Sequence, residues 1–300
     1  MISYYVIFLY LWHMKSIKTT KIYLQKVLLY SSFFLISSVG IEAQNSVPPP
    51  SYTMEQGVYQ GGLRRGAPHG KGIMVYNNGD RYDGSYVKGN RQGQGKYTYV
   101  TGEYYDGDWK NDMKNGRGTF VWKDGSRYEG SWADNKRIGK GKYVYANGDV
   151  YFGMWRDDLQ NGKGIYNFSN GDSYEGDYIN GERTGEGIFK YANGDKYVGY
   201  FKRGDKNGFG TFVWGNGDVY VGNWKDDRQN GKGRLTKRGG DVFEGNFANG
   251  KFDGEMTVYY ADGRKFRGTY KNGLREGKAI EMTKEGRRRE VVYQNGEEIQ

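Results

Sequence analysis

Residues 128–150 read YEGSWADNKRIGKGKYVYANGDV, and Tyr151 begins the same 23-residue phrase again as YFGMWRDDLQNGKGIYNFSNGDS. A Tyr or Phe followed two residues later by Gly recurs at this interval ten times without a slip. The aromatics are Tyr59, Tyr82, Tyr105, Tyr128, Tyr151, Tyr174, Tyr197, Tyr220, Phe243 and Phe266. A period of this size marks a chain of like units, none able to bury its apolar face alone, each stacked on its neighbours. It overrides the two-domain expectation that 300 residues would otherwise carry.

Inside a phrase the pattern alternates. Tyr128-x-Gly130-x-Trp132 and Gly141-x-Tyr143-x-Tyr145 each place three residues on one face of a strand, because strand side chains point to opposite faces with period two. Helical periodicity is absent. Asn147-Gly148 joins one strand pair to the next, with Asn78-Gly79, Asn170-Gly171, Asn193-Gly194 and Asn216-Gly217 as counterparts, and Asp124-Gly125 and Asp262-Gly263 as chemical equivalents. Asn-Gly between alternating apolar runs predicts a tight hairpin turn with positive φ at both central residues. At the other end of each pair, a longer polar loop such as 133–138 is expected. Gly weakens a strand unless something must approach closely. Gly130 and Gly141 lie on the aromatic face, so rings are expected to lie across them and shelter the bare backbone.

Tyr-x-Gly-x-Trp, then Gly-x-Gly-x-Tyr, then Asn-Gly-Asp resembles the MORN (membrane occupation and recognition nexus) repeat over residues 57 to about 288. The resemblance implies a twisted, elongated sheet of hairpins and a scaffold or membrane-contact role, without naming a partner. The fold expected is therefore all-β, an elongated single-layer antiparallel meander of about ten 23-residue β-hairpin repeats. Four segments are expected: a leader at 1–43, a proline-rich spacer at 44–56, the repeats at 57–288 and a polar cap or tail at 289–300. The last phrases depart from the pattern. Lys237, Glu281 and Thr283 replace rings, and Gly254 and Gly277 stand alone where other phrases carry Gly-x-Gly. A polar terminal repeat of this kind keeps an exposed sheet edge from pairing with another chain.

Before the repeats, Lys15 to Lys26 precede an apolar run from Val27 to Ile41 and then Ala43. That order describes a secretory signal peptide with cleavage after Ala43 and an effective start at Met14. The alternative is an uncleaved membrane anchor, although the run is shorter than the roughly 20 residues a span needs. The repeat body is expected to work after export, in a periplasm, on a cell surface or in the medium.

Catalysis needs a local, unrepeated constellation, and none is present. His13 and His69 stand alone and Cys is absent, which excludes a His-based triad, a thiolate metal site and structural disulfides. Asp149, Asp172, Asp195, Asp218, Glu129 and Glu175 recur once per phrase, as turn or solvent-face residues do. GKGKY and GQGKY lack the strand–loop–helix context of a phosphate cradle. The expectation is a protein that is not an enzyme and needs no cofactor or metal.

The net charge of +10 could steer anionic partners, yet both signs are interspersed along every phrase, as on a soluble mixed surface. Rings interleaved with cations could stack single-stranded nucleic acid, but no recognised motif accompanies them. The aromatic face is the candidate interaction surface: Tyr82, Trp109, Trp132, Trp155, Tyr178 and Trp224. A protein partner is the first expectation for that face, and a lipid headgroup or glycan of the cell envelope the second. The competing expectation is that these rings are simply core.

Overall fold

The computed structural model describes residues 48–299. The expected leader, its start at Met14, its cleavage after Ala43 and the alternative anchor all lie outside the described residues. Between Ser51 and Ile299 run twenty-three strands in one antiparallel sheet. Each strand pairs with the strand before it and the strand after it in the chain, and with no other. This is a single-layer meander. Segment 51–54, inside the expected spacer, forms the first edge strand and pairs with the strand Gly57–Arg64. At the other end Arg288–Gln294 and Glu297–Ile299 continue the sheet through the segment expected as a polar cap or tail.

Within a phrase the two Gly positions face each other. Tyr128 pairs with Tyr143, Glu129 with Lys142, and Gly130 with Gly141. The Tyr128 ring lies over both glycines: a Cβ at Gly130 would meet the ring hydroxyl at 2.4 Å, and one at Gly141 would meet ring carbon at 2.4 Å. No side chain fits under the ring, so glycine is required there for close approach. The sheltering ring belongs to the same strand as the first glycine. Its hydroxyl donates to the Ser131 carbonyl oxygen at 3.1 Å, which holds the ring flat.

Beyond the Gly pair the register slips. Ser131 pairs with Ile138, so Gly139 and Lys140 bulge out of the second strand, with Gly139 at φ 56. A bulge re-aims the residues beside it. Here it sets Arg137 opposite Trp132 and Gly139 opposite Trp155 of the next phrase.

The two kinds of turn exchange the roles expected of them. At Asn147-Gly148 only the glycine has positive φ, at 89. The Gly148 N–H donates to the Tyr145 carbonyl at 3.0 Å and the Tyr145 N–H donates to Asp149 at 2.9 Å, a longer loop closed by one left-handed glycine. The tight two-residue turn lies at the other end, where Ala133 pairs with Lys136 around Asp134 and Asn135, at φ 46 and 69. Asn and Asp tolerate the left-handed region because their short polar side chains bond locally. The polar loop expected over 133–138 is therefore a two-residue hairpin turn, and Lys136 already belongs to a strand.

The recurring Asp after the turn glycine ties phrase to phrase. Asp149 accepts from the Ser169 N–H at 2.8 Å and from the Tyr166 hydroxyl at 2.8 Å, both in the following phrase. Asp80 does the same with Val100 and Tyr97. Asp172, Asp195 and Asp218 take the N–H of Ala192, Gly215 and Arg238 in turn. The hydrogen bond from Ser169 holds the Asp149 carboxyl below the usual carboxylate range, opposed by burial and reinforced by Tyr166.

Candidate interaction surfaces

The sheet has two unlike faces. On the aromatic face the phrase tyrosines Tyr59 to Tyr220 are fully buried. They alternate edge-to-face with the second-row rings in one unbroken chain. Trp132 stands between Tyr105 at 5.4 Å and Tyr128 at 5.1 Å, and Trp155 between Tyr128 at 5.4 Å and Tyr151 at 5.3 Å. The alternation of phrase tyrosine and second-row ring runs from Tyr59–Tyr86 to Tyr220–Phe247, and the contacts continue through Phe252 to Tyr270. Each such contact adds about 0.5–1.5 kcal/mol to the burial of the rings themselves. Indole N–H groups find partners one phrase back: Trp109 donates to the Gly95 carbonyl at 2.8 Å and Trp132 to that of Gly118 at 3.1 Å. In the last two phrases Met256 and Ala279 replace the second glycine, and Phe243 stacks on Phe252 instead.

All six residues singled out as an interaction face lie in this layer, and it brings them together. Trp109, Trp132, Trp155, Tyr178 and Trp224 form the second row, and Tyr82 stands in the first row against Trp109 at 5.4 Å. Each is at most 6 % exposed. Burial pushes the phenols of Tyr82 and Tyr178 upward, and those of Tyr174 and Tyr220 to about 12.

What covers them escaped the sequence analysis. Arg91, Lys114, Arg137, Arg183 and Lys206 occur at one phrase position, and the bulge turns them over the rings. The Arg91 guanidinium sits 4.3 Å above the Trp109 ring, the Lys114 ammonium 4.7 Å above Trp132, and Arg137 4.5 Å above Trp155. Lys206 lies 5.4 Å from Trp224. Three of these cations are held from outside, Arg91 by Asp112 at 3.0 Å, Arg137 by Asp158 at 2.9 Å and Lys206 by Asp227 at 3.4 Å. Lys114 is in no ion pair among the described residues, and burial lowers its ammonium below the usual lysine value. The signal was legible as Arg or Lys returning at this period, but the contact depends on the bulge.

Among the described residues the opposite face has no roof. In the early phrases it is a ladder of alternating charge: Asp83 pairs across to Lys96, Lys96 to Asp106, and Glu129 to Lys142. Late in the chain Arg234 binds Glu244 at 2.9 Å. Between these stretches the same positions turn apolar. Phe152 pairs with Ile165, Ile188 with Val198, and Phe209 and Tyr200 lie alongside. They line a groove of 770 Å³ across the strands from Val150 to Val213. Phe152 and Phe209 are 52 % and 56 % exposed. No group of three or more His, Cys, Asp or Glu suited to a metal ion occurs among the described residues.

A family model described as MORN repeat matches the chain in ten consecutive copies, from residues 59–81 to 266–282. No curated protein sequence is significantly similar to the chain. Among solved structures it is similar to the SAS-4 (dCPAP) TCP domain of Drosophila melanogaster, in complex with a proline-rich motif of Ana2 (dSTIL). Identity is 17 %, coverage 52 % of this chain and 84 % of that one, and the TM-score 0.34. The TCP10 domain of Danio rerio CPAP matches at 11 % identity over 74 % of this chain and 99 % of that one, with a TM-score of 0.33. Virginiamycin B lyase from Staphylococcus aureus matches at 13 % identity over 76 % and 85 %, with a TM-score of 0.14. At such TM-scores no binding property carries over.

Proposed function

The chain belongs to the MORN repeat family, whose repeats are generally non-enzymatic interaction modules, and from that premise we propose an exported scaffold that holds a protein partner on its sheet. The observation that carries the reading is the single layer: among the described residues no second sheet or helix packs on either face, one face is covered only by its own side chains and the other is open. A scaffold needs extended surface, whereas catalysis needs a converging local constellation. Export rests on the order of Lys15–Lys26, Val27–Ile41 and Ala43. Mass spectrometry of protein from its native host is expected to find an N-terminus near Gln44. An intact chain in the cytosol would reject export. Affinity capture from envelope fractions, followed by proteomics and lipid analysis, tests the scaffold itself, and recovery of no protein partner would reject it.

On the aromatic face, the cations and half-buried outer rings such as Trp122, Tyr145 and Trp214 are what a partner meets first. For Tyr82, Trp109, Trp132, Trp155, Tyr178 and Trp224 to touch it directly, the cations must swing aside. Loss of partner binding on Trp132→Ala at unchanged stability is the result expected of that direct contact. The row of cations favours a second reading, in which the face meets anionic lipid headgroups or a glycan of the envelope. Flotation with phosphatidylglycerol vesicles distinguishes the two: co-flotation that salt abolishes supports the lipid.

A further inference from the structure

The groove on the unroofed face carries an uneven arrangement of charge. Before the terminal strands, where Glu290 lies opposite Ile280, each other carboxylate of the central cross-strand row on that face lies opposite a cation, as Asp83 and Asp106 flank Lys96, Glu129 faces Lys142 and Glu244 binds Arg234. Glu175 does not. Its cross-strand neighbours are Ile165 and Ile188, and it forms no ion pair among the described residues. Glu186, one strand on, has Tyr200 opposite and accepts that hydroxyl at 2.9 Å, again with no cation. The nearby Lys163 is already neutralised by Asp177 at 2.9 Å. Two carboxylates with no cation opposite them thus sit in the middle of an apolar patch, with Phe152 and Ile165 to one side, Ile188, Val198, Tyr200 and Phe209 to the other, and Lys140 at the Phe152 end of the groove, opposite Met154.

Along the sheet the order is apolar, acidic, apolar. Six strands at about 4.8 Å spacing make the patch roughly 24 Å long, the span of about seven or eight extended residues at 3.3 Å each. We propose that this groove docks a short peptide segment of a partner protein, laid across the strands, with apolar side chains flanking a central Lys or Arg that pairs with Glu175 and Glu186. The inference rests on the scaffold reading only in that the partner is a protein, and it assigns that partner to the face opposite the ring layer. Apolar side chains fill the two lobes, while the cation fixes register, because a misplaced charge leaves the carboxylates and the cation unpaired.

The test uses the mature chain and a fluorescein-labelled eight-residue peptide with leucines around a central arginine, read by fluorescence anisotropy. Saturable binding is expected. Binding is expected to weaken about tenfold or more when the arginine becomes glutamate, and by a similar factor for the Glu175→Gln/Glu186→Gln double variant. It is expected to be lost in Phe152→Ser/Phe209→Ser, with circular dichroism and melting temperature unchanged, since these side chains are exposed. Equal binding of the arginine and glutamate peptides, or full binding by Phe152→Ser/Phe209→Ser, overturns the proposal. So does self-association that the same double variant abolishes in sedimentation equilibrium, which would make a second copy the occupant. Envelope capture of a partner that Phe152→Ser/Phe209→Ser leaves undiminished sinks the groove and leaves the scaffold standing.

Discussion

The two faces of this sheet are built under opposite rules. On the ring face, Tyr128 over Gly130 and Gly141 is repeated almost unchanged in each phrase from Tyr59 to Tyr220, because a ring pressed onto bare backbone leaves no room for a side chain. On the other face the residue after the phrase tyrosine runs Asp83, Asp106, Glu129, Phe152, Glu175, Val198 and Val221, and its partner on the next strand runs Lys96, Thr119, Lys142, Ile165, Ile188, Thr211 and Arg234, so that no two adjacent phrases carry the same pair. The period is enforced where packing is tight and relaxed where solvent is the neighbour. The difference teaches that repetition in such a chain reports stability, and that what distinguishes one stretch from the next lies on the face where the phrases disagree.

That contrast can be broken by experiment, beginning with the ring face. Trp132→Ala removes a ring held between Tyr105, Tyr128 and Lys114 and is expected to cost about 3–5 kcal/mol, read as a lower urea midpoint. Wild-type stability in this variant would mean that the row is contact surface and not core. Gly141→Ala forces a methyl against the Tyr128 ring and is expected to cost about 1–3 kcal/mol, whereas Gly239→Ala, in an open turn with nothing within 4 Å and no positive φ, is expected to cost less. Arg137→Met keeps the stem over Trp155 but loses the charge, for about 1–2 kcal/mol, and tests whether the cations stabilise the layer they cover.

Acid sharpens the comparison further. Asp149 has a carboxyl held below its ordinary value by Ser169, so its contribution is present above about pH 4 and lost as pH falls through the depressed value. Asp149→Asn is therefore expected to be less stable than wild type at pH 7 and equal to it in strong acid, by urea titration at both. The smallest effect belongs to the open face. Phe152→Ser is expected to move stability by no more than about 0.5 kcal/mol, and a large loss there would show that a second layer covers the groove.

The sheet, its period and the ring-over-glycine packing were legible because each is a property of one phrase: alternation fixes the face and glycine marks the close approach. The turns were misread for a physical reason. Asn-Gly suggests two left-handed residues, but Asn147 keeps negative φ and bonds the Asp149 N–H through its side chain, while Asp134-Asn135 supplies the two-residue turn. The roof of cations needed the two-residue bulge at Gly139 and Lys140, which no local propensity announces. The groove needed the register of six strands at once, since Phe152, Ile188 and Phe209 lie far apart in the chain and become neighbours only through pairing.

That each strand pairs only with its immediate chain neighbours has a consequence in time as well as space. Contacts of such short sequence separation give a low contact order, and the entropy of loop closure is met one small hairpin at a time. Growth can begin at any hairpin and extend in either direction, and each addition is stabilised by the exposed edge already formed. A chain emerging N-terminus first, from a ribosome or a translocation pore, has no need to wait for its last residue. It can lay down sheet as fast as phrases appear, with only the newest edge and the outer side of the short first strand unpaired at any moment.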